Sequence, residues 1–316
     1  MGWLTSLMNR PHLLLVITAL AWGGNAIAGK FALGHISPMM LTLVRWSIAM
    51  VVIWAIAVPE VRRDWPVIRT RLPYLFIMGA AGFTAFNVLM YSALQFTSSI
   101  NVVIMQSAMP LVIFAGNLLV FRVAASSRQF AGFLITLVGV VLVVSNGHPA
   151  MLLHGGLNIG DGLMVIAVML YAAYSIALRA KPDIHWKSFF AFLVTAAFVT
   201  SVPAAIYEAM RGNTIAPVTL QGVLVGLYAA LFPSIVSQLF FIRAVEQLGA
   251  NIAGLYINLV PVFGTLLAVL LLGEAFSWHQ ALALLMVIGG ILFAQNSLAA
   301  AWRSIRTVKG RSADRS

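Results

Sequence analysis

Residues 22–30 read WGGNAIAGK, and residues 171–179 read YAAYSIALR. The first stretch alone is ambiguous. It follows Arg10 and an apolar run, and Ala26-Ile27-Ala28 has the small-x-small form of a secretory cleavage site. A leader would be cut there. A permanent membrane helix would instead carry paired glycines, an asparagine and a lysine into the bilayer. The second stretch decides. Shifted by 149 residues, Trp22 meets Tyr171, Asn25 meets Tyr174, Ile27 meets Ile176, Ala28 meets Ala177 and Lys30 meets Arg179. A pattern that recurs inside the chain belongs to a duplicated helix, so residues 22–30 are expected to stay.

The composition sets the solvent. Of 316 residues, 61% are hydrophobic and 9% charged, against roughly 25% charged in a soluble globule. Mean hydropathy is +0.98. So few charges could not cover a soluble fold of this size, and an all-α membrane protein follows. There is no cysteine, which excludes disulfides, thiol chemistry and thiolate metal sites. The net charge of +11 reads as membrane orientation rather than nucleic-acid binding.

A membrane-spanning helix needs about 20 mostly apolar residues. Ten such runs lie near 12–33, 38–58, 73–94, 99–121, 129–146, 160–179, 188–208, 220–242, 251–272 and 278–298, followed by a polar, basic tail at 299–316. Ten crossings put both termini on one side. With the termini inside, the inner segments hold every Lys and Arg except Lys30, Arg45 and Arg211, out of 19. One miscounted helix would scramble that bias, so it supports ten helices and cytoplasmic termini.

The duplication extends further. At a shift of 151 residues Pro110 meets Pro261, Asn87 meets Gln238 and Ser107 meets Asn258. The chain therefore reads as two five-helix repeats, 12–146 and 160–298. Five is odd, so the second repeat enters the membrane from the opposite side. Inverted repeats of this kind suit alternating access, with solute held near the midplane where the repeats meet.

These segments resemble a known family. WGGNAIAGKFAL with SPMMLTLVRW is similar to the start of an EamA-type unit of the drug/metabolite transporter superfamily, and residues 249–294 are similar to the end of the second unit. The resemblance covers about 12–298. The motif of Pro261 followed by Leu272-Gly273-Glu274 is specific; Phe121-Arg122-Val123 stands where the first repeat would carry it, so Glu274 is expected to serve a local turn. Within the family the chain is most similar to aromatic amino-acid exporters of the YddG type. That resemblance implies a bacterial-type inner membrane, an efflux direction and amino-acid cargo. Other metabolites or drugs, such as nucleotide sugars or aromatic cations, and a channel, are the alternatives.

The polar residues within the spans nominate a path. Asn25 follows Trp22 by one turn, as Tyr174 follows Tyr171, so each pair shares a helix face. Asn87 and Gln238 match in depth and chemistry. Tyr91, Tyr256 and Asn258 complete the expected substrate contacts, with Asn101 and Gln106 as weaker candidates. Arg45, about 10 Å into its span, is a possible anion contact. Lys30 is another, although a cation at a helix end also suits the dipole there. Pro110 and Pro261 each remove a backbone hydrogen bond and are expected hinges. No acidic residue or histidine falls mid-span, so neither catalysis nor a proton or sodium relay through membrane carboxylates is expected. No metal or cofactor is expected either. The partners are a small solute and the bilayer, with the chain acting as a monomer and no nucleic acid involved.

Overall fold

A computed structural model describes residues 7–121, 126–150, 158–215, 219–248, 253 and 256–293. The tail, Arg122 and the 251–252 start of the ninth run lie outside the described residues. The described chain is helical: α1 (Pro11–Phe31), α2 (Pro38–Ile68), α3 (Leu72–Ala93), α4 (Ser99–Ser107), α5 (Met109–Phe121), α6 (Ser127–Val144), α7 (Ile159–Ala177), α8 (Trp186–Met210), α9 (Leu220–Leu248), α10 (Leu259–Leu272) and α11 (Trp278–Phe293). Six of these, α1, α2, α3, α7, α8 and α9, are long and apolar enough to cross a membrane. Shorter apolar helices occupy Ser99–Ile113, Phe130–Val144, Leu259–Leu272 and Trp278–Phe293.

Local chemistry explains the starts and breaks. Proline opens α1, α2 and α3, where its missing N–H costs nothing. Ser98, Asn158 and Thr219 cap α4, α7 and α9 with side-chain oxygens. The 99–121 run is not one helix. It breaks at Ala108, because Pro110 cannot donate into the preceding turn. The second helix runs to Ile68 rather than 58. Its charges and Pro59 resemble a loop in sequence, but Ala57, Val61 and Ile68 keep a buried face at helical spacing.

The two halves interlock. In the first half α1 packs on α9 and α10 of the second, while α7 of the second packs on α3 and α5 of the first. Small residues permit the close approach: a Cβ on Gly23 would lie 2.8 Å from the Gly264 nitrogen and the Val260 oxygen. Large apolar side chains face outward, among them Leu119, Met210 and Leu285. Surfaces of that kind are covered by lipid.

Helices α2 and α8 pack antiparallel, and each supplies a carboxylate to the start of the other. Near the end of α8, Glu208 accepts from the Ser37 hydroxyl (2.5 Å) and the Met39 and Met40 amides (3.2 and 3.1 Å). Near the end of α2, Asp64 accepts from the His185 amide (2.8 Å) and the Ser188 hydroxyl (2.7 Å). Glu60 adds a 2.6 Å ion pair with Lys187. An anion at a helix N-terminus satisfies orphan amides and meets the positive dipole end. Glu208→Ala leaves three donors unpaired at a buried helix start. We expect a loss of about 1–3 kcal/mol, seen as a lower melting temperature of the detergent-purified protein. An unchanged melting temperature would show that the cap contributes nothing.

Candidate functional site

Arg45 lies on α2 and is buried, 6% exposed. Its guanidinium is surrounded by neutral oxygens from three other helices. Three acceptors share the two hydrogens of Nη1: Asn25 Oδ1 of α1 (3.0 Å), Asn87 Oδ1 of α3 (2.8 Å) and the Tyr91 hydroxyl of α3 (2.7 Å). Nε donates to the Ser234 hydroxyl of α9 at 2.8 Å. The Tyr91 hydroxyl in turn donates to Asn25 Oδ1 at 2.9 Å. No carboxylate lies within ion-pair reach among the described residues, and no described group accepts from Nη2. A cation this deep without a counter-charge is costly.

Two π-helical segments aim these acceptors. One is Ala80–Ala85 in α3 and the other is Ala230–Val236 in α9. A π-turn disturbs the regular ladder and leaves carbonyls for side chains. Asn87 Nδ2 donates to the Phe83 carbonyl at 2.6 Å, which turns Oδ1 toward Arg45. The Ser234 hydroxyl donates to the Ala229 carbonyl at 2.9 Å, which turns its lone pairs toward Arg45 Nε. Pro233 removes one amide from the second segment, and Trp22 Nε1 donates to the Pro233 carbonyl at 3.0 Å.

Aromatic rings line this region. Trp46 stacks on Phe83 (4.8 Å between centroids, 10° between planes), and Arg45 sits 5.0 Å from the Trp46 centroid. Tyr171 packs on Phe86, and Tyr174 on Phe83. A Cβ at Gly82 would meet the Tyr174 ring at 2.5 Å, so the π-segment glycine makes room for it. The matched residues of the duplicated helix stand apart. Trp22 packs on Phe241 of α9, whereas Tyr171 and Tyr174 pack on α3.

The other nominated residues lie elsewhere. Half-buried Gln238 takes no part in the Arg45 cluster; Ser234, one turn earlier, does. Tyr256 shares a 2.7 Å hydrogen bond with His12 near the start of α1. Asn258 immediately precedes α10, and its Nδ2 is buried without a partner among the described residues. Pro110 and Pro261 sit in the first turns of α5 and α10. Gln106 is half-buried near the end of α4. Lys30 donates to the Leu94 and Thr97 carbonyls (2.8 and 2.9 Å), capping the end of α3. Glu274 is no mere turn residue. It accepts from the Ser99 and Ile100 amides (2.9 and 3.1 Å) and so caps α4 in the other half.

Lys30, Asn101 and Glu274 line a polar vestibule of about 490 Å³, together with Asp161 and Gln280. Sequence reasoning missed Ser234, Trp46 and the burial of Asp161. Ser234 carried one signal, a hydroxyl beside a mid-helix proline. Among the described residues no His, Cys, Asp and Glu cluster could hold a metal.

Comparison with known proteins agrees with this architecture. The chain is 24% identical over 294 residues to an uncharacterized transporter of Archaeoglobus fulgidus, across 90% of this chain and 96% of the other. It is 22% identical to the uncharacterized transporter YyaM of Bacillus subtilis, across 90% and 92%. Identity to the uncharacterized inner membrane transporter YicL of Salmonella typhimurium is 19%, across 90% and 94%. A solved crystal structure superposes with a TM-score of 0.61 at 20% identity, across 93% of this chain and 98% of its own, which shows a shared fold. The EamA-like transporter family matches twice, at residues 9–145 and 158–295, and the chain belongs to that family of membrane transporters.

Proposed function

We propose that the chain is an alternating-access exporter of small organic solutes bearing a carboxylate, with amino acids, aromatic ones included, as its cargo. The observation behind the cargo class is Arg45, a buried cation fixed by neutral oxygens and without a carboxylate partner among the described residues. A solute carboxylate supplies the missing charge at Nη2, and charge-assisted pairs of this kind are the strong ones. Phe86, Tyr171 and Tyr174 offer ring faces for an aromatic side chain. Trp22, Asn25, Asn87, Tyr91, Gln238, Tyr256 and Asn258 line the remainder of the path in this reading, and Pro110 and Pro261 flex.

The membrane arrangement belongs to the same reading. The helices make ten crossings in two inverted units, 12–146 and 160–298, with α4 and α5 forming one broken crossing. Both termini face the cytoplasm, and one chain works alone in the inner membrane. Supporting this are the segregation of Lys and Arg, the reciprocal caps of α2 and α8, and a π-segment in the third helix of each half.

Purified protein in liposomes tests the cargo. Arg45→Gln should weaken L-phenylalanine counterflow by about 10- to 100-fold, from the loss of a charged hydrogen-bond donor. Wild type should also prefer L-phenylalanine to L-phenylalaninamide, which lacks the carboxylate, and R45Q should lose that preference. Equal losses for both solutes would remove Arg45 as the anchor. Orientation is tested separately, because the chain has no native cysteine. In intact cells a membrane-impermeant maleimide should label Ala275→Cys and spare Ser127→Cys; the reverse pattern would invert the topology.

A further inference from the structure

Asp161 lies in the first turn of α7 and is fully buried. Its Oδ1 accepts from the Thr97 hydroxyl at 2.7 Å, and its Oδ2 is buried without a partner among the described residues. A hydrogen-bond chain fixes the direction of every donor that leads to it. The Ser277 amide, which can only donate, meets Gln280 Oε1 at 3.1 Å. Gln280 Nε2 therefore donates to Asn101 Oδ1 at 2.8 Å, and Asn101 Nδ2 donates to Thr97 Oγ1 at 3.2 Å. Thr97 is left to give its single hydrogen to Asp161 Oδ1. The chain crosses from α11 through α4 to α7 and closes one wall of the polar vestibule.

No cation lies within 4.0 Å of this carboxyl among the described residues. The nearby charges are committed elsewhere. Lys30 is held by the Leu94 and Thr97 carbonyls, and Glu274 by the Ser99 and Ile100 amides. The His279 ring meets the Ser277 hydroxyl at 3.0 Å. His148 lies near His279, in the turn after α6. The helices packed on α7, namely α3, α4 and α5, carry no charged residue. The start of α7 also sits tightly on the end of α3: a Cβ on Gly160 would lie 2.6 Å from the Ala93 oxygen.

Burial decides what the carboxyl carries. An ionised carboxylate sealed from water keeps a large desolvation penalty, because a buried charge needs a counter-ion and filled lone pairs. The Thr97 hydroxyl and the N-terminal helix dipole offset only part of it. A neutral acid leaves one hydrogen unpaired, which is the smaller cost. Oδ2 is closed to solvent and meets no donor among the described residues.

We propose that Asp161 is a proton-binding site, and that the bound proton latches shut the α4–α7–α11 wall of the vestibule. Protonated Asp161 accepts from Thr97 and stays dry. Loss of the proton leaves an anion that needs water, so the wall opens. The sign follows: raising the pH on the vestibule side opens this mouth, and lowering it closes the mouth. The site lies at helix ends rather than at mid-depth, so the proton enters and leaves on one side and is not carried across. In the proposed orientation that side is the periplasm.

The test uses the full-length purified protein and needs no solute, so it stands or fails separately from the cargo assignment. Infrared difference spectra should show a protonated-carboxyl C=O band at neutral pH that is missing from Asp161→Asn. Thr97→Val should shift that band by removing the donor to Oδ1, which identifies the carboxyl even if D161N folds poorly. Amide exchange of residues 93–101, compared at equal pH, should match between wild type and D161N in acid. As the pH rises, wild type should exchange faster, by about tenfold per pH unit beyond the midpoint until fully open. Absence of the band from wild type, or parallel exchange at every pH, overturns the proposal.

Discussion

A full positive charge cannot sit bare in an apolar interior, and the centre of this protein is arranged around that constraint. Arg45 draws oxygen from α1, α3 and α9, none of it charged. Such contacts meet the geometric needs of the guanidinium and leave its charge uncompensated. A carboxylate built in at this point would neutralise the site. Neutral acceptors hold the cation in place and leave its charge uncompensated.

The carboxylates have gone instead to helix ends. Glu208, Asp64 and Glu274 each bind the first amides of a helix other than their own. A cap within one helix would stabilise that helix alone. Caps that reach across join α2 to α8 and α4 to the turn after α10, so the acidic residues tie the two halves together. This explains why Leu272-Gly273-Glu274 carries a left-handed glycine (φ 65°): the chain must reverse for Glu274 to reach α4.

The sequence exposed what the bilayer dictates and concealed what packing dictates. Apolar runs are legible because a span must be long and apolar, and the repeat is legible because residues such as Pro110 and Pro261 recur at a fixed shift. The tail of α2 was not, since Arg62, Arg63 and Pro66 resemble a loop until Val61 and Ile68 are seen against α8. Arg45, Asn25, Asn87 and Tyr91 could be named individually as polar residues in apolar runs. Their convergence could not, because contact between residues 20 to 189 positions apart leaves no local signal. Symmetry does not bring Gln238 to Arg45: it pairs with Asn87 in sequence, but the hydroxyl that reaches Arg45 is Ser234, whose counterpart is Phe83. Asp161 reads as a helix-end residue, and only the covering ends of α3 and α4 make it an interior one.

The duplication is kept in the backbone and broken in the chemistry. Both halves carry a π-segment in the third helix, and each segment's spare carbonyls orient a polar side chain toward the centre. The cation they serve is single: Val194, fully buried, holds the place of Arg45 in the second half. In the proposed inverted arrangement the two backbones could exchange shapes, as alternating access requires. One guanidinium shared between them cannot be exchanged. Asn87 and Ser234 point at it because Phe83 and Ala229 hold their other ends. Helix register in α3 and α9 is thereby tied to the hydrogen bonding of Arg45. A ligand that replaces those acceptors acts on both helices at once.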